Sequence, residues 1–234
     1  YGSTVAIGNV VVSPSEFMPR LFAENGRLLD SQGRITLDTP EALRALENYR
    51  ETYSYSDRTI YDFWKNALEG FADGTAAMTV VFINYASHIL NSQMSRIAGK
   101  LGFAPVPGGK PLLGGGVIGI AQSCTCPAAA CKFLEWLYAD LVAPVFTMLG
   151  GLSPCRSAYS TRDISEQYPW LSTARKSFPT AQRRSNSTYY QNFSELQLET
   201  ILAAHVQQAV LGVCSPEEAL KQAQEDCNRY FQPW

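Results

Sequence analysis

Residues 114–121 read GGGVIGIA, a glycine run that leads into apolar residues typical of a β-strand. A polar turn follows, and Pro127 then opens a predicted helix, where its missing N–H costs nothing. Residues 142–149 form a second apolar helical run, which ends at the sequence GGLSPCR over residues 150–156. This succession of strand and helices indicates an α/β protein.

The flanking sequence continues the alternation of strands and helices. Further predicted strands are residues 5–12, 77–81 and 101–106. Further predicted helices begin near Pro14, Thr39, Trp64, Tyr85, Leu196 and Ser215. Threonine at 39 and serine at 215 each precede a proline, which is the pattern of a capped helix start.

The composition is that of a globular protein without a strongly charged partner. The chain has 234 residues, of which 46% are hydrophobic and 17% charged, and its net charge is -2. This balance gives no electrostatic reason to expect a nucleic acid or an anionic membrane as partner. Two long uncharged stretches, residues 74–95 and 111–131, are interrupted by polar residues, glycine or proline, so no transmembrane helix is expected.

Six cysteines are too few for a disulfide scaffold. They are Cys124, Cys126, Cys131, Cys155, Cys214 and Cys227. No two of them form the Cys-x-x-Cys pair of a zinc site, so buried, inert thiols are the first expectation and a disulfide the alternative. Six free thiols would fit a reducing compartment better than an exported one.

Nucleotide, metal and catalytic motifs fail in their context. Residues 114–119 fit the dinucleotide pattern G-x-G-x-x-G, but no helix follows the glycines, and Lys110 lacks the neighbours of a phosphate-binding loop. His88 and His205 are too isolated to predict a metal site. Gly-x-Ser-x-Gly and His-Glu-x-x-His are absent from the sequence, so we expect no cofactor, no metal and no catalytic residues.

Aromatic residues stand where predicted strands or loops give way to helices. Phe82, Tyr85, Tyr189 and Tyr190 occupy such positions. Saccharides have flat apolar faces ringed by hydroxyl groups, and their sites combine aromatic platforms with a few polar groups. Packing in the hydrophobic core is the alternative for each of these rings.

Five segments in order resemble the motifs of one family. They are TLDTPEA at residues 36–42, FADGTAAM at 71–78, LGFAPVP at 101–107, the stretch 114–156, and SPEEALKQAQED at 215–226. Together they are similar to extracellular solute-binding protein family 1, the maltose-binding-protein-like sugar-binding proteins of ABC transporters. The resemblance implies a type II periplasmic-binding-protein-like fold, in which two α/β lobes close on a ligand about a hinge.

The resemblance also implies a division into lobes. Residues 1–106 and 157–234 are expected to form the second lobe, and residues 107–156 a remnant of the first. The chain is expected to begin after the N-terminal part of the first lobe. A remnant without its sheet partners would expose apolar surface.

The same resemblance implies a set of ligand contacts. They are Ser15, Glu16, Phe82, Asn84, Tyr85, Gly115, Gly116, Arg156, Tyr189 and Tyr190. Asn84 stands where the family usually has a stacking tryptophan, and Tyr85 could replace that ring. Arg156 could equally hold the second crossing strand.

Three functions follow from these observations, the first of them favoured. The chain would bind an oligosaccharide or similar polar solute for an ABC importer, with the permease subunits as partners. Its location would be extracellular or periplasmic, with a lipid anchor on the full-length protein. The alternatives are a cytoplasmic ligand-sensing domain of a transcriptional regulator with the same fold, and a carbohydrate-active enzyme.

Overall fold

The computed structural model describes residues 1–8, 10–56, 63–160, 168–183 and 186–234. The chain divides into two compact units. Unit 1 contains residues 1–81, 106–113 and 180–234, and unit 2 contains residues 82–105 and 114–179. These divisions fall at other positions than the predicted lobe boundaries, and the assignment of lobes stays a prediction.

Unit 1 is built mainly from helices. Its elements are β1 (Ser3–Thr4), α1 (Val12–Ala23), α2 (Pro40–Ser54), α3 (Trp64–Ala72), β2 (Met78–Thr79), β3 (Leu112–Leu113), β4 (Gln182–Arg183), α8 (Glu195–Val210) and α9 (Pro216–Tyr230). Helices α1, α2, α8 and α9 pack on one another. Phe17, Leu46, Tyr49 and Leu202 are fully buried among them. Burial of this apolar stripe on each helix is what holds the unit together.

The predicted helix starts are confirmed at the ends of α2 and α9. Thr39 Oγ1 accepts a hydrogen bond from the Ala42 backbone N–H, and Ser215 Oγ accepts one from that of Glu218. Each bond satisfies a donor that the first turn of a helix leaves without a partner. In the second case the Glu218 carboxylate accepts from Gln222, so the capping box is only half formed.

The strands are short and parallel. Ser3 and Thr4 of β1 pair with Met78 and Thr79 of β2, and β3 pairs with β4 in the same way. The predicted strand 5–12 is wrong over most of its described residues, 5–8 and 10–12, because Ser13 bonds back to the Gly8 carbonyl and α1 begins at residue 12. Residue 9 lies outside the described residues. The predicted strands 101–106 and 117–121 are wrong as well. In the described part of the chain no neighbouring strand pairs with either segment.

The described residues of unit 2 form four short α-helices besides 3₁₀ turns and irregular segments. They are α4 (Ala86–Leu90), α5 (Pro127–Leu137), α6 (Ala143–Met148) and α7 (Pro169–Ser177). The helix predicted to begin near Tyr85 ends after five residues, because the Asn91 side chain accepts from the Gln93 backbone N–H and turns the chain. Trp170 and Leu171 of α7 form the centre of a small core with Ala86 and Ala143.

Candidate functional site

In unit 2 the structure brings Phe82 into contact with the glycine run. A Cβ atom on Gly114 would lie 3.0 Å from Cε1 of the Phe82 ring, which is closer than side chains normally approach. The ring therefore sits at the position that a side chain on residue 114 would occupy.

The turn before α4 and the start of this helix also contact Gly150, which begins the glycine pair at residues 150–151. Gly150 has a φ of +98°, and a Cβ atom there would lie 2.3 Å from Ser87 Oγ and 3.7 Å from the Asn84 carbonyl oxygen. Only glycine is tolerated at this position, because the backbone is left-handed and the space is taken. Phe82, Asn84 and Ser87 are thus held against two glycine segments that the sequence singled out separately.

Gly115 and Gly116 are exposed, and no atom lies within 4 Å of the place where a Cβ would be at either residue. Their backbone is therefore open to close approach by a ligand. Asn84 is exposed and Tyr85 is half-buried. Arg156 is exposed as well, at the start of the short 3₁₀ turn Arg156–Tyr159. We call Phe82, Asn84, Tyr85, Gly115 and Gly116 the unit 2 surface.

The core of unit 2 packs against the segment that carries Phe82, Asn84 and Tyr85. Ala86 belongs to that core, and Ile83 packs against it. Tyr159 is fixed in the same core by its hydroxyl group, which donates to the Ser153 carbonyl oxygen at 2.9 Å. Packing on both sides of the Ile83–Tyr85 turn holds the backbone that carries Phe82 and Asn84.

In unit 1 the predicted contacts Ser15 and Glu16 lie in α1 and are both buried. Glu16 Oε2 lies 3.0 Å from Arg20 Nη1, and the Arg20 guanidinium lies 4.7 Å from the centre of the Tyr49 ring. Burial raises the pKa of the Glu16 carboxyl, and the charge of Arg20 opposes that shift. The carboxylate is thus engaged inside unit 1.

Arg20 and Tyr49 are members of this buried group that the sequence analysis did not find. The spacing of Glu16 and Arg20, four residues apart in a helix, is the signal that pairs them. Nothing in the local sequence indicates Tyr49, whose hydroxyl group donates to the Ala6 carbonyl oxygen. That partner lies in a different element and is set by the packing of α1 and α2.

Tyr190 is buried in an aromatic cluster of unit 1, and the preceding residue, Tyr189, is half-buried. The Tyr190 hydroxyl oxygen accepts a hydrogen bond from the Ile35 backbone N–H at 2.9 Å. Its ring stacks on Phe193 at 6.4 Å and is tilted against Phe231 at 5.6 Å. The Tyr190 ring therefore packs in the hydrophobic core, which was the alternative considered for these aromatic residues.

The expectation of buried thiols is wrong for most of the cysteines. All six are free, and two are exposed: Cys126, which precedes α5, and Cys131, which lies within this helix without buried residues. Cys227 alone is buried, and burial raises the pKa of its thiol to about 12. In the part of the chain that the structure describes, no group of three metal-ligating side chains comes together.

Unit 2 exposes large apolar side chains on and around α5. Phe133 and Trp136 are 51% and 56% exposed, and Leu141 and Leu149 are exposed to a greater extent. The Phe133 and Trp136 rings lie 5.8 Å apart, and large apolar groups exposed together in this way indicate a face that another segment or chain covers. Within the described ranges, every helix is too short or too polar to cross a lipid bilayer.

A comparison with protein families gives the relationship directly. Residues 11–173 match the family described as bacterial extracellular solute-binding protein. The chain belongs to this family. The match includes α1 and the whole unit 2 surface, and the family is one of binding proteins.

Solved structures of solute-binding proteins show the same fold. The maltose-bound MalE3 of T. maritima has a TM-score of 0.83 and 21% identity over 98% of this chain. A protein from Agrobacterium radiobacter K84 in complex with ribitol has a TM-score of 0.76 and 21% identity over 99%. A protein from Thermotoga lettingae TMO, bound with α-D-tagatose, has a TM-score of 0.72 and 24% identity over 98% of this chain. The chain spans 60%, 60% and 59% of the lengths of these three proteins. The type II periplasmic-binding-protein-like fold is thereby confirmed.

Proposed function

We propose that this chain binds a saccharide or polyol as part of the substrate-binding component of an ABC importer. The observation that carries the proposal is the unit 2 surface, which combines an aromatic ring in contact with the glycine run, an exposed amide and open glycine backbone, all within the residues that match the family. Aromatic faces and hydrogen-bonding groups are the two components that sugar recognition needs. The sugars and polyol bound by the structurally similar proteins support the same ligand class.

In this proposal the ligand lies against Phe82 and approaches the backbone of Gly115 and Gly116. Asn84 supplies an amide group that can both donate and accept hydrogen bonds. Ser15, Glu16, Arg156, Tyr189 and Tyr190 stay predicted contacts. The partners would be the permease subunits of the importer, and the location extracellular or periplasmic, with a lipid anchor on the full-length protein.

The test is a pair of glycine variants titrated with maltose, ribitol and D-tagatose by isothermal titration calorimetry. Gly115→Val and Gly119→Val both add a side chain where the fold has open space, so neither should change stability. If the ligand approaches Gly115, the first variant should weaken binding by about tenfold or more, and the second should not. Absence of saturable binding to all three probes, or an equal effect of the two variants, would contradict the proposal.

The six free cysteines favour the second candidate, a cytoplasmic sensor domain with the same fold. Fractionation of the native host distinguishes the two locations. Recovery of the protein from the cytosol would support the sensor, and recovery from the envelope or medium would support the importer.

A further inference from the structure

A pocket in unit 1 shares no residue with the unit 2 surface, although it includes Tyr189 and Tyr190, two of the contacts that the family resemblance predicted. Its volume is about 380 Å³, and its lining includes Arg34, Tyr189, Tyr190, Asn228 and Phe231. All of these residues belong to unit 1. The pocket is therefore a feature of one compact unit and can be considered by itself.

One wall of this pocket is the half-buried Tyr189 ring, backed by the buried rings of Tyr190 and Phe231, which are 9% and 1% exposed. Tyr189 and Tyr190 meet edge to face, with ring centres 5.0 Å apart, and the Tyr190 and Phe231 ring centres are 5.6 Å apart. The hydrogen bond from Ile35 and the bridge between Tyr190 and Pro233 fix the central ring. A rigid aromatic wall suits the apolar face of a six-membered ring.

The polar groups of the pocket offer more donors than acceptors. Asp30 accepts from the backbone N–H groups of Gln32 and Arg34 and from Arg34 Nε at 2.7 Å, so its carboxylate is already used. Asn228 Oδ1 accepts from Gln224 Nε2. Among the described residues, no acceptor is found for the two terminal nitrogens of Arg34 or for the side-chain NH₂ of Asn228.

This arrangement selects the chemistry of a ligand. Arg34 Nε is held by Asp30, which leaves the terminal fork of the guanidinium for two parallel hydrogen bonds. Such a fork matches a carboxylate, with which it makes short, charge-assisted bonds. The amide of Asn228 adds a further donor.

We propose that this pocket is a second ligand site, which binds a small carboxylate carried on a six-membered ring. A hexuronic acid is the saccharide of this class. Its ring would lie on the aromatic wall, and its carboxylate would accept from Arg34 and Asn228. The proposal does not rest on the transport function.

The experiment titrates D-glucuronate and D-glucose into the protein by isothermal titration calorimetry and compares Arg34→Gln with Arg44→Gln. Arg44 is a matched control, because its Nε also makes a 2.7 Å ion pair and its side chain is 49% exposed, against 52% for Arg34. We expect saturable binding of D-glucuronate, weaker binding of D-glucose, and a loss of about tenfold or more in Arg34→Gln alone.

Three results would overturn the proposal. They are the absence of saturable D-glucuronate binding, D-glucose bound as tightly as D-glucuronate, and equal losses in the two arginine variants. The Gly115→Val variant separates this site from the unit 2 surface, since it should leave D-glucuronate binding unchanged. Loss of D-glucuronate binding in that variant would assign the ligand to unit 2 instead. Far-UV circular dichroism checks that each variant is folded.

Discussion

Tyr190→Phe removes one oxygen atom and leaves the Ile35 backbone N–H without its partner. Ile35 is only 4% exposed, so water cannot easily replace the lost acceptor. A buried donor left unsatisfied costs about 1–3 kcal/mol. The ring keeps its contacts with Phe193 and Phe231, so the variant isolates the hydrogen bond from the aromatic packing.

Urea denaturation followed by far-UV circular dichroism measures the effect. With a urea m-value of about 2 kcal/mol/M, a loss of about 2 kcal/mol lowers the midpoint by about 1 M. Tyr55→Phe is the matched control, because Tyr55 is 59% exposed and, among the described residues, its hydroxyl group makes only a long 3.4 Å contact with Glu51. A midpoint for Tyr190→Phe equal to that of Tyr55→Phe would refute the structural role of the phenol.

Two further predictions concern ionisable groups. The raised pKa of Glu16 means that the folded state binds the carboxyl proton more tightly than the unfolded state does. The protonated carboxyl therefore contributes its full stability below pH 4.5, and this contribution is lost as pH rises through the folded-state pKa. Glu16→Gln should flatten this part of the curve of urea midpoint against pH. The control Glu24→Gln removes an exposed carboxylate paired with Arg44 and should leave the curve unchanged. An unchanged curve in Glu16→Gln would count against the burial of the Glu16 carboxyl. The second prediction is that iodoacetamide at about pH 8 alkylates Cys126 in the folded protein but Cys227 only after unfolding, because a thiolate is needed and Cys227 is buried with a pKa of about 12. Peptide mass spectrometry measures both thiols, and equal rates in the folded protein would contradict the structure.

Features that depend only on residues close together in the sequence could be predicted from it. Thr39 and Ser215 begin helices because a hydroxyl group three residues before a free N–H can cap it, and both caps form. The strand at residues 117–121 could not be judged in this way. Its apolar residues fit a β-strand, but a strand exists only where a second one supplies hydrogen bonds. The described structure gives this segment none.

The candidate site was predictable in its residue types and only partly in its geometry. The glycine run and Phe82 were each identified from the sequence, yet their contact depends on how unit 2 folds. The pocket beside Arg34 was not predicted. Its sequence signal is weak, because an aspartate and an arginine four residues apart across a glycine turn also occur in ordinary surface loops.

The sequence by itself determined the family, the α/β class and the places where the principal helices begin, since these depend on motifs and on local hydrogen bonds. Only the tertiary structure decided which aromatic residues serve the core and which lie at a surface. Tyr190 is buried because residues 155 positions away supply its hydrogen-bond partner. Trp136 is exposed because nothing in the described residues of unit 2 covers it. Burial is a property of neighbours that are distant in the chain, and local sequence does not specify them.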